Sequence, residues 1–224
     1  MAPATIRGMT NDPLAPYRWL QAADGDPANP LGDIFCVSFF RGLGPAEVLR
    51  RFDPAGPAGR ETSFDELGEQ VLAFVEETDG GDGGGHVGVV QAGEWCVAIE
   101  LWGWTAALTE ALTPLSKGCE VVVVSRHDYA EDDFSYAVDG AVVTTFRPIM
   151  PSERHGSDLH RLDALMREVG LTPEEAADGW EAQWHDMSAN GLARAFLLAA
   201  RITGVEFTAG LLAGPLLVGA IGEF

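Results

Sequence analysis

The sequence predicts an α+β fold: a mostly antiparallel sheet of four to five strands, helices packed on it, and a helical layer at the C-terminal end. Three observations predict it. The strongest β-type runs, HVGVVQA, EWCVAIEL, CEVVVV and FSYAVDGAVVTTF, follow one another between residues 86 and 147. The links at Ala92-Gly93 and Asp139-Gly140 are too short for anything but antiparallel neighbours, and Asp-Gly suits the φ > 0 positions of a two-residue type I′ turn. Beyond residue 150, apolar residues recur mainly at helical spacing. One domain spanning residues 1–224 is expected, strand-rich with helices from about 33 to 150 and helical from 151 to 224.

In chain order, PLAPYRWLQA at 13–22 has the length of a short helix, and ADGDPANPLGD reads as a loop. Ile34 to Phe40 is a strand candidate. Gly44-Pro45 opens a helix through Phe52, with proline in the first turn, where its missing N–H costs nothing. Ser63-Phe64-Asp65-Glu66 matches a capping box, and Phe64, Leu67, Val71, Leu72 and Val75 follow at helical spacing to about Glu77. TDGGDGGG at 78–85 reads as a flexible link. A phosphate loop would need the G-K-[ST] ending and a following helix, and neither is present.

Trp95 to Leu101 is apolar on both faces apart from Glu100, which suits an interior strand covered on both sides. Thr105 to Lys117 has the length of a helix, broken or shortened by Pro114. The Asp139-Gly140 hairpin sets Val138 opposite Ala141, Tyr136 opposite Val143 and Phe134 opposite Thr145. Asp158 to Val169 reads as a helix capped by Ser157 and ended by Gly170. Thr172-Pro173-Glu174-Glu175 is a second capping box, Trp180 to Met187 is ambiguous, Gly191 to Ile202 is helical, and Thr208 starts a last short helix broken at Gly214-Pro215. The predicted core is Phe35, Val37, Phe39, Leu72, Val89, Val97, Ile99, Val122, Val124, Tyr136, Val143, Leu162, Leu165 and Leu198.

Charge bounds the function. The net charge is −20, from 34 acidic and 14 basic residues. Acids outnumber bases 14 to 6 in residues 1–85, 9 to 3 in 86–150 and 11 to 5 in 151–224, so the whole surface is acidic rather than one tail. Such a surface repels nucleic-acid phosphates; it fits solubility first and a basic protein partner second. Lys117 is the only lysine, which leaves one residue for any Schiff-base or phosphate-loop role. Cys36, Cys96 and Cys119 are widely spaced, and no C-x-x-C occurs, so they read as structural thiols. No stretch approaches the roughly 20 apolar residues of a membrane span. The first twenty residues lack the apolar segment of a secretory signal, and a cytoplasmic location without membrane attachment is expected.

FCVSFFRGLGPAEVLRRF, SFDEL, HVGVVQAGEWCVAIELWGW, FSYAVDG, RHGSDLHRL and ITGVEFTAGLLAGPLL occur in this order between about Asp33 and Leu217. Together they resemble a family of domains of unknown function associated with high-GC filamentous bacteria. That resemblance implies no activity and no residue roles.

The leading functional expectation is a non-enzymatic protein-interaction module without a cofactor, such as an immunity-type binder of a basic toxin. Trp102 and Trp104, two residues apart at a strand end, would form an aromatic platform, with Glu100 as the charge beside it. The alternative is an enzyme or small-ligand protein with a pocket between the sheet and the C-terminal helices. There Arg126, His127, Arg154 and His155 would converge on an anionic ligand, with Glu100 as an inward carboxylate. A metal site on His155, Asp158 and His160 is disfavoured, because His155 precedes the predicted helix and His160 lies within it. No nucleophile turn of the G-x-S-x-G kind is present.

Overall fold

The computed structural model describes residues 12–21, 29–80, 83–127, 131–174 and 180–224. A 3-10 helix, Ala15–Gln21, leads into β1 (Phe35–Arg41), α1 (Pro45–Phe52), β2 (Arg60–Thr62) and α2 (Phe64–Thr78). The hairpin of β3 (His86–Ala92) and β4 (Trp95–Leu101) follows, then a 3-10 turn at Thr105–Ala107 and α3 (Thr109–Leu115). Next come β5 (Glu120–His127), β6 (Glu131–Val138), β7 (Ala141–Phe146) and β8 (Arg154–His155). The chain ends through α4 (Asp163–Glu168), α5 (Trp180–Thr203), α6 (Ala209–Leu212) and β9 (Leu216–Ala220).

Among the described residues the strands form one sheet of nine, ordered β2-β9-β3-β4-β1-β5-β6-β7-β8. Every pairing in it is antiparallel. The predicted mixture of helices with an antiparallel sheet holds, but four to five strands is too few. β2 and the C-terminal strand β9 have no local signal, because each is defined by a partner distant in sequence, and the edge strand β8 is only two residues long. β9 slots between β2 and β3, so the C-terminal segment returns to the sheet instead of ending as a helical layer.

Both faces of the sheet are covered. On one face, Phe35, Val37, Phe39, Val97, Ile99, Val122, Val124 and Phe134 pack against α2, α4, α5, α6 and the first 3-10 helix. The centre is an aromatic stack in which Phe196 of α5 lies 5.2 Å from Phe207 and 6.3 Å from both Tyr17 and Phe35. On the opposite face, Cys36, Phe40, Val87, Val89, Cys96, Ala98, Val121 and Val123 pack against α1, the Thr105–Ala107 turn and α3. Double coverage is why β4 is buried at every position and reads as a continuous apolar run.

Local signals set several boundaries. Gly44 caps α1 with Pro45 in its first turn. At α2, Ser63 Oγ accepts the Glu66 N–H at 3.2 Å while the Ser63 N–H donates to Glu66 Oε2 at 3.1 Å. Asp139 and Gly140 take φ of 49° and 81° at the β6–β7 turn, as an Asp-Gly hairpin requires.

Other expectations fail for physical reasons. A bulge between Tyr136 and Ala137 shifts the β6–β7 register, setting Tyr136 opposite Thr144 and Phe134 opposite Phe146. The shift brings Phe146 to the core face, stacked 5.0 Å from Phe134, and leaves Val143 half-buried. Leu72 is 59% exposed, since Phe64, Leu67 and Val71 already fill the inner stripe of α2. Leu165 is half-buried. The helix expected from Asp158 begins only at Asp163, after a turn. Trp180–Thr203 is one continuous helix, with Gly191 inside it where a Cβ would meet Pro148 Cβ at 3.2 Å. The second capping box extends into residues outside those described.

Phe196→Ala removes the ring on which Tyr17, Phe35 and Phe207 converge. It is expected to destabilise the fold by about 3–5 kcal/mol, read as a lowered midpoint in denaturant unfolding.

Candidate functional site

The polar groups singled out in the sequence occupy three places. The first is the end of β4. Glu100 is fully buried on the face shared with Cys36 and Ala98. Its carboxylate accepts the Thr105 N–H at 2.8 Å and the Ala106 N–H at 3.0 Å. These are free amides at the start of the Thr105–Ala107 turn, so a side chain of the sheet caps the turn that covers it. Burial pushes the Glu100 carboxyl up from its ordinary range, and these N–H donors, with Cys36, pull against that shift. No arginine meets it among the described residues: Arg126 pairs with Asp132 and Arg147 with Glu131.

Trp102 and Trp104 follow directly. The strand stops at Leu101, and Trp102 turns into the left-handed region at φ 48°, an outlier for a bulky side chain that costs on the order of 1–3 kcal/mol. The expectation that the two indoles share a strand face therefore fails. Trp102 is 44% exposed, and its N–H donates to the Ile34 carbonyl at 2.9 Å. Trp104 is half-buried, its ring edge-on to His127 at 4.8 Å. The glycines before β3 are more than a flexible link: a Cβ at Gly84 would overlap the Leu101 carbonyl oxygen, and one at Gly83 would meet the Trp102 carbonyl oxygen at 3.3 Å.

The second place is the β5–β8 end of the sheet. Arg126 forms a cross-strand pair with Asp132 at 2.7 Å and donates to the Leu20 carbonyl. Burial raises the Asp132 carboxyl, and the Arg126 guanidinium pulls it back down. Arg154 is buried against Asp163 of α4 and donates to the Pro173 carbonyl at 3.0 Å. Register alternation places Arg126 and Arg154 on the face covered by α4 and α5, and His127 and His155 on the other. Three strand spacings, about 14 Å, separate β5 from β8. The four side chains do not converge, and both arginines are held by aspartates of the chain itself.

His155 instead lines a cleft of about 210 Å³ with Asp133, Thr145, Arg147, Met150 and Glu153. Arg147 pairs with Glu131 at 2.7 Å. Burial raises the Asp133 carboxyl, and Arg147 lowers it. His160 Nδ1 contacts Asp163 Oδ2 of α4 at 3.0 Å. Among the described residues no group of three or more His, Cys, Asp or Glu side chains is placed to hold a metal ion. No helix of the described residues is long and apolar enough to cross a membrane.

The third place was not singled out in the sequence. The outer stripe of α2 exposes Asp65, Glu69, Leu72, Ala73 and Glu76, and its C-terminal end adds Glu77 and Asp79. Asp65 suits the helix N-terminus, whereas Glu76 and Glu77 lie beside carbonyls that already carry partial negative charge, each costing about 0.3–1 kcal/mol at low salt. No lysine or arginine occurs between Arg60 and Lys117. Trp102 flanks this end of α2: a Cβ at Gly80 would lie 3.7 Å from both Trp102 Nε1 and Val75 Cγ1. The signal available in the sequence was the local absence of basic residues.

The chain belongs to a family of unknown function, DUF6461, which matches residues 11–219. No curated protein and no solved structure matches it.

Two outcomes follow from the Glu100 geometry and the Trp102 backbone. A carboxyl raised by folding contributes stability that is present below its unfolded value, near 4.5, and is lost as pH rises through the folded value. Glu100→Gln is expected to cost about 1–3 kcal/mol at acid pH, because an amide NH2 cannot accept the N–H it faces, and to cost less as pH rises. Unfolding of both proteins across pH checks the sign. Trp102→Gly relieves the left-handed strain and is expected to melt within about 1 kcal/mol of the parent chain by calorimetry.

Proposed function

We propose that the chain is a non-enzymatic protein-interaction module whose partner is a basic protein. The supporting observation is how its charges are spent internally. Eleven of the thirteen basic side chains among the described residues, all but Arg60 and Arg161, already sit within 4 Å of one of the chain's own carboxylates. Against 34 acidic residues, that leaves a surface of carboxylates with few internal cations to meet them. Such a surface steers a cationic partner and repels nucleic acid and anionic membranes. A toxin or nuclease with a basic substrate-binding surface is the partner class it suits best, and masking that surface would make the chain an immunity-type inhibitor.

A second reading, a small-ligand or enzymatic role, would use the Asp133–His155 cleft. Asp133 is partly buried with its carboxyl raised, as in many functional sites. At about 210 Å³ the cleft falls below the roughly 300–1,000 Å³ of ligand pockets, which favours the first reading.

The test is capture of basic proteins from the source cell by the immobilised chain. Capture is expected at about 50 mM salt and lost near 1 M, where the screening length falls to about 3 Å. Salt-insensitive capture, or none at low salt, counts against a basic partner.

A further inference from the structure

Resting on that reading, we propose that the docking surface is the outer face of α2 together with the Trp102 indole, and that it takes a basic protein segment carrying an apolar anchor. Leu72 and Trp102 are two of the six large apolar side chains exposed among the described residues, at 59% and 44%. Neither side chain is needed to fill the core. Phe64, Leu67 and Val71 already bury the inner side of α2, and Trp102 is held outward by a backbone conformation that a bulky residue rarely adopts. An aromatic ring on a rigid turn beside a helix makes an anchor with little entropy left to lose.

The turn is rigid for reasons independent of the indole. Glu100 fixes Thr105 and Ala106 from beneath, and the Trp102 N–H is tied to Ile34. Gly103 must stay glycine, since a Cβ there would meet Glu100 Cβ at 2.8 Å.

Charge selects the occupant. Glu69 and Glu76 lie one turn to either side of Leu72 on the exposed stripe, and Glu77 and Asp79 are exposed at the helix end, where Gly80 approaches the Trp102 indole. None of these four carboxylates has an ion pair among the described residues. A second copy of this chain would bring the same charges to the interface and be repelled. Cations on a partner would meet both the carboxylates and the exposed carbonyl end of α2. The segment that fits carries lysine or arginine on both sides of one large apolar residue.

The experiment titrates the isotope-labelled full chain with a synthetic amphipathic peptide bearing a leucine stripe flanked by lysines. A peptide of equal charge with serine in place of leucine is the control. Amide shifts are expected along residues 64–80 and 101–104. Leu72→Ser, Trp102→Gly and the double change Glu69→Lys with Glu76→Lys are each expected to weaken binding about tenfold or more with the fold retained. Binding that maps elsewhere, that ignores these substitutions, or that is equally tight for the serine control overturns this surface but leaves a basic partner standing. Absence of binding by either peptide at low salt overturns both.

Discussion

Burial of the sheet on both faces is the constraint on which the rest of the structure depends. A strand covered on one side can send a charge to water; β4 cannot, so Glu100 must be answered inside the protein. The answer comes from two amides of the Thr105–Ala107 turn rather than from an arginine. That choice fixes where the chain goes after β4. The turn is drawn back over the face that carries Cys36 and Ala98, and Trp102 is left at the bend with φ 48°. The glycines at 83–85 are shaped by the same bend, since the space a side chain would need there is taken by the Leu101 and Trp102 carbonyls and by Phe74.

What the sequence made legible is what a few neighbouring residues decide. The α1 start, the α2 capping box, the Asp139-Gly140 turn and the interior character of β4 each depend on contacts within a few positions. What stayed hidden depends on distant partners. β9 is a strand because β2 and β3 offer it edges some 130 or more residues away. The bulge at Tyr136 is set by the gain from placing Phe146 beside Phe134 under the helical layer, and nothing within the hairpin announces it. Leu72 shows the limit of helical periodicity, which allows a wider apolar stripe than this helix buries.

The site was less legible than the fold. Arg126 and Arg154 look like anion ligands in a sequence because the carboxylates that neutralise them are recognised only once the strands and α4 are assembled. Asp132 lies opposite Arg126 in the register, and Asp163 reaches Arg154 from another element. The acidic face of α2 presents the reverse case. Its residues were in plain view, but an excess of acid spread evenly over the whole chain hid a fifteen-residue helix that carries no base.

The two ends of α2 separate what the fold requires from what it merely tolerates. At the N-terminus, Glu66 closes the capping box, and Asp65 lies where the helix dipole favours a negative charge. Replacing either with a neutral residue would weaken the helix. At the C-terminus, Glu76 and Glu77 oppose the dipole, and no basic residue occupies the last turn to offset them. The C-terminal layer, by contrast, ties three of its acids to arginines: Glu168 to Arg201, Glu174 to Arg167, and Asp186 to Arg194. Three acids of the C-terminal part are thus paired, while Glu69, Glu76 and Glu77 of α2 have no ion pair among the described residues. Solubility alone would accept acids anywhere on the surface. It does not account for an exposed Leu72 on this helix and a strained, exposed Trp102 beside its C-terminal end, and the proposed docking of a cationic segment with an apolar residue rests on that combination.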